Sequence, residues 1–117
     1  HHPMTLSQRI AALEGPDSVI CADIELAIGN WPKEHHAAWL RFYQGLDDPD
    51  YPFAQPVSPN RYLSSIDAAL SIVQPSMQAH VMHEAMKLLG PRGEIVGKFT
   101  QQLACAICEV ALKERGL

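Results

Sequence analysis

With 117 residues the chain has the length of one ordinary domain, enough to enclose a modest core without disulfide or metal staples. Thirteen acidic residues against nine basic ones give a net charge of -4, too mild for an imitation of nucleic acid, and the lysines and arginines are scattered from Arg9 to Arg115, which argues against direct nucleic-acid binding. Three cysteines with no cationic, apolar leader ahead of them indicate a reducing compartment, and no apolar run approaches membrane-spanning length, so a cytoplasmic protein without a membrane association is expected.

His1, His2 and Pro3 read as the remnant of a purification tag, leaving residues 4–117 as one domain. Thr5 and Gln8 then stand in the capping-box relation at the start of a short helix with Leu6, Ile10 and Leu13 on one face, and Gly15-Pro16 stops it. Asp17 caps a second helix whose apolar stripe is Ile20, Ile24, Ala27 and Ile28, ended by Gly29. From Asn30 to Asn60 five prolines interrupt any long element, and only the stretch AAWLRFYQ can hold regular structure, as helix or as strand.

Ser64 and Asp67 form a second capping-box pair, starting a helix that buries Ile66, Ala69, Leu70 and Val73 and closes at Pro75. The stretch from Ser76 to Phe99 supports two readings: a helix, because Met77, Val81, Ala85 and Leu88 keep helical spacing, or a hairpin turning at Gly90-Pro91-Arg92-Gly93. The last stretch, from Thr100, reads as a helix with Leu103, Ile107, Val110 and Leu112 inward and Gly116 at its end.

Three segments, TLSQRIAALEGPD, YLSSIDAAL and CEVALKERG, in that order and with a variable middle, give the chain a resemblance to the phage ABA sandwich domain family of small phage and prophage proteins. The matching places are Gly15-Pro16-Asp17, Tyr62 to Leu70 with Leu63 where the family has threonine, and Cys108 with Leu112; the Trp-rich strand usual after the middle helix is replaced by MQAHVMHEAM. The resemblance implies an α+β fold, a small single-domain helix/sheet/helix sandwich with a short antiparallel sheet, and favours strands at Ala79 to Met86 and Glu94 to Phe99. It implies no reaction, and the shared residues read as packing and capping devices.

No motif supplies a catalytic centre: a Gly-x-Ser-x-Gly elbow is absent, GPRG lacks the Gly-Lys-[Ser/Thr] ending of a phosphate loop, and Asp47, Asp48 and Asp50 read as solvated loop charge. His80 and His83 are components for a metal site on a helix, but their spacing is no zinc signature, and on a strand they would point apart. Cys105 and Cys108 lie within an apolar helix, where buried thiols act as small hydrophobes; the four together form a metal site only if the fold joins the pairs.

The strongest compositional bias is aromatic: Trp31, Trp39, Phe42, Tyr43, Tyr51 and Phe53 share one irregular third of the chain. Such residues either fill a satellite core under a long loop or anchor a partner, and Trp31, Trp39, Tyr43, Tyr51 and Phe53 are the candidate partner-binding residues. The expected function is that of a non-enzymatic, cofactor-free phage or prophage accessory protein in the bacterial cytoplasm. It would bind a host or phage protein, with inhibition of a defence system as the outcome its setting suggests. The alternative is a small-molecule or metal-binding protein that uses His80, His83, Cys105 and Cys108 or a pocket under the aromatic loop.

Overall fold

The computed structural model describes residues 3–45, 57–92 and 98–117, and every regular element among them is helical. In chain order these are α1 (Leu6–Ala11), α2 (Ser18–Ala27), α3 (Lys33–Tyr43), α4 (Ile66–Leu70), a single 3₁₀ turn at Pro75–Met77, α5 (Gln78–Arg92) and α6 (Phe99–Glu114). The chain divides into two compact units, one made of His1–Asp17 and Arg61–Leu117, the other of Ser18–Asn60.

The first unit is organised around α6, which packs against α1, α4 and α5. The sequence dictates this role, because Leu103, Ala104, Ile107, Cys108, Ala111 and Leu112 recur at spacings of one, three and four, making a broad apolar face that is buried along the helix. The helix ends in a Schellman arrangement in which the Gly116 N–H meets the Lys113 carbonyl at 3.0 Å and the Leu117 N–H meets the Leu112 carbonyl at 2.8 Å. Gly116 sits at φ +76, a conformation that a Cβ would strain. Arg115 adds a bond from Nη2 to the Ile72 carbonyl at 2.7 Å, tying this end to the chain just after α4.

Helix α1 begins as its sequence requires: the Gln8 N–H donates to Thr5 Oγ1 at 3.2 Å and the Thr5 N–H donates to Gln8 Oε1 at 2.9 Å. The start of α4 lies one residue beyond the Ser64–Asp67 pair. Ser65 is the cap, accepting from the Ala68 N–H at 3.2 Å, and Ala69, Ile72 and Val73 are buried while Ile66 and Leu70 are half-buried. The helix ends at Leu70, well before Pro75.

The expected α+β sandwich is not what forms. Residues 79–86, assigned to a strand by the family resemblance, belong to the helix α5, whose Val81, Ala85 and Leu89 lie buried four residues apart along one face. Alternation would have buried every second residue; the burial instead follows the helical period, in agreement with the helix-forming Met, Ala, Leu, Glu and Lys of this stretch. Gly90, Pro91 and Arg92, assigned to a turn by composition, are the end of α5. Of the second expected strand, residues 94–97 lie outside the described residues, Lys98 is the cap of α6 and Phe99 its first residue.

The second unit is a pair of packed helices, α2 and α3. Ile20, Cys21, Ala22, Ile24 and Glu25 are buried on α2, while Ala27, expected inward, is exposed. The stretch left open as helix or strand is the body of α3, which opens after Pro32, a residue whose fixed φ suits a helix entry. Among the described residues no helix is long and apolar enough to cross a membrane.

Candidate functional site

Glu25 fixes the turn from α2 to α3, and with it the placement of the aromatic residues. The helix ends in a second Schellman arrangement around Gly29 at φ +81, where the Glu25 carbonyl accepts the Asn30 N–H at 2.9 Å and the Trp31 N–H at 3.1 Å. Its carboxylate, with the residue 2 % exposed, accepts the Asn30 side-chain amide at 3.1 Å, the Asn60 N–H at 3.4 Å and the Asn60 side-chain amide at 3.3 Å. A carboxylate surrounded by amide donors is a structural clip; its lone pairs are occupied by the chain's own N–H groups. Beside it His36 Nε2 meets Asp23 Oδ1 at 2.8 Å, both half-buried, linking the first turn of α3 to the middle of α2.

From Trp31 an aromatic file runs along α3 at intervals of four residues. Trp31 meets the His35 ring edge-on at 4.3 Å and the Trp39 ring at 6.2 Å, and Trp39 stacks on Tyr43 with centroids 4.9 Å apart and planes 18° from parallel. Its inner members are core: Trp31 and Trp39 are 8 % and 3 % exposed, clustered with Ala22 and flanked by Val19 and Leu40. Its outer end is surface, for Tyr43 is 55 % exposed and its neighbour Phe42 is 45 % exposed.

Of the five aromatic residues expected at a partner surface, Tyr43 is therefore the one the described residues place in solvent, while Trp31 and Trp39 pack inside their unit. Tyr51 and Phe53, together with the pocket expected beneath their loop, lie outside the described residues. Phe42 completes the exposed pair; composition groups it with the aromatic third of the chain, although its spacing of three from the buried Trp39 by itself points inward. Glu25 carried no comparable signal, because a glutamate in an amphipathic helix reads as solvated.

The two alternative ligand pairs are brought to different tasks. His80, on the exposed side of α5, bonds through Nε2 to Glu114 Oε1 at 2.8 Å, and His83 is exposed. The Cys105 and Cys108 thiols donate to consecutive carbonyls, of Leu63 at 3.3 Å and of Tyr62 at 3.2 Å, stitching α6 to the turn ahead of α4. Among the described residues no group of three or more His, Cys, Asp or Glu side chains is placed to hold a metal ion. Cys108 is fully buried. Cys108→Ser is thus expected to lower stability by about 1–2 kcal/mol, since the hydroxyl keeps a donor but is more polar and smaller than the thiol it replaces. Urea denaturation of the two proteins side by side measures the difference.

Comparison with protein-family models, with curated proteins and with solved structures finds no match.

Proposed function

We propose that the chain is a non-enzymatic binding protein that engages a partner protein through the exposed Phe42–Tyr43 end of α3. The observation that carries this reading is the pairing of exposure with order: two large aromatic side chains stand in solvent, and one is already held by stacking on the buried Trp39. An aromatic anchor fixed before binding loses little conformational freedom when the partner arrives, which is how a few residues come to dominate an interface. A phage or prophage setting, with a host protein as partner and suppression of a bacterial defence system as the effect, rests on the three sequence segments quoted above. Of the sheet which that family resemblance implies, the first expected strand is part of α5.

Tyr43→Ala is expected to weaken partner binding by about 2 kcal/mol while costing folding stability only about 1 kcal/mol, the loss of one exposed stacking contact. Capture from bacterial host lysate on the parent protein and on this variant, quantified by mass spectrometry and accompanied by a melting curve, tests it. A partner retained equally by both proteins would remove Tyr43 from the interface.

A further inference from the structure

We propose that the aromatic file of the second unit is a path for electrons, which carries an oxidising equivalent from the buried indoles of Trp31 and Trp39 out to the phenol of Tyr43. Electron transfer between side chains needs rings that lie in or near contact and that can each lose an electron. Tryptophan and tyrosine are the aromatic residues that lose one most readily. Trp31 and Trp39 have ring centroids 6.2 Å apart, and Trp39 stacks on Tyr43 at 4.9 Å with planes 18° from parallel, so the last two rings meet face to face. His35, edge-on to Trp31 at 4.3 Å, carries an imidazole, which is much harder to oxidise than an indole, so it stands beside the path without belonging to it.

Burial gives the path its direction. A phenol gives up an electron easily only when its proton leaves as well, and water has to be there to take that proton. Tyr43 is exposed, whereas Trp31 and Trp39 are buried and cluster with Ala22. A one-electron oxidant of the class of the carbonate radical anion removes an electron from an indole and is itself reduced. The Trp39 radical cation then takes an electron from the Tyr43 ring and is restored to indole, while the Tyr43 O–H bond breaks and its proton passes to water, leaving a neutral phenoxyl radical. At the surface a soluble reductant such as ascorbate returns the phenoxyl to phenol with one electron and one proton. The indoles that fill the core of the unit are thereby kept intact through an oxidation that reaches them.

Laser photoionisation with light that indole absorbs and phenol does not, with a cobalt(III) ammine in solution to take the ejected electron, tests the path by transient absorption. Both tryptophans of the chain lie in this unit, so the first radical forms within it. The whole indolyl signal should decay as a phenoxyl signal grows, at a rate that does not change with protein concentration. In Tyr43→Phe, which keeps a ring to stack on Trp39 but has no O–H, the phenoxyl signal should be lost and the indolyl radical should persist, with melting close to that of the parent. Tyr51→Phe and Tyr62→Phe, at the other two tyrosines of the chain, should each retain the phenoxyl signal. A phenoxyl that survives in Tyr43→Phe or disappears in Tyr51→Phe or Tyr62→Phe would overturn the assignment. So would a rate proportional to protein concentration, or a parent protein in which the indolyl radical of one or both tryptophans fails to convert.

Discussion

Glu25→Ala is expected to lower the folding stability of the second unit by about 3 kcal/mol, because it removes three part-buried hydrogen bonds at once, each worth about 1 kcal/mol. The Asn30 side-chain amide and both the main-chain and side-chain N–H groups of Asn60 lose their acceptor when the carboxylate is removed. Asn30 and Asn60 are exposed and their freed N–H groups can turn to water, so the loss is that of the three bonds together and exceeds that of one average hydrogen bond. Both tryptophans of the chain lie in this unit, and their fluorescence during urea denaturation reports on its unfolding. Glu25→Gln keeps one acceptor oxygen and should fall between the parent and Glu25→Ala. A denaturation midpoint unchanged in both variants would show that the amides find other partners and that Glu25 holds nothing in place.

Trp39→Ala should cost about 3–5 kcal/mol, the usual consequence of emptying a buried indole site that its surroundings cannot refill. Trp39 is 3 % exposed and touches the cluster of Ala22 and Trp31 on one side and the Tyr43 ring on the other. The variant is expected to lose partner binding together with the fold of the second unit, so melting by far-UV circular dichroism and binding should fail in parallel. Tyr43→Ala is expected to separate the two properties. A stable Trp39→Ala protein that had lost only binding would make the indole an interface anchor and contradict its burial.

These contrasts explain how much could be read from the residues alone. Local hydrogen-bonding patterns were legible: the Thr5–Gln8 pair caps α1, and Gly29 and Gly116 mark the ends of α2 and α6. So was the inward face of α6, where Leu103, Ile107, Val110 and Leu112 are all buried. At residues 79–86 two signals disagree: the helical spacing of Val81 and Ala85 points to a helix and the family resemblance to a strand, and burial at intervals of four residues follows the spacing. At the candidate site, composition located the aromatic third of the chain but could not rank its members. Trp39 and Tyr43 are one helical turn apart, and whether a ring faces the core or the solvent depends on where α2 lies against α3. Glu25 was hidden for a related reason, since two of the three N–H groups that meet its carboxylate come from Asn60, 35 residues away in sequence.

Site-specific photo-crosslinking tests the proposed function most directly. A photoreactive phenylalanine analogue placed at position 43 is compared with the same group at Met86, which is also exposed but lies on α5 in the first unit. In host lysate the group at position 43 should yield one dominant protein adduct that the group at position 86 does not, and the adduct should fade when Phe42→Ser is added. Adducts equal in identity and yield from both positions, or none from position 43, would contradict a partner surface at the end of α3.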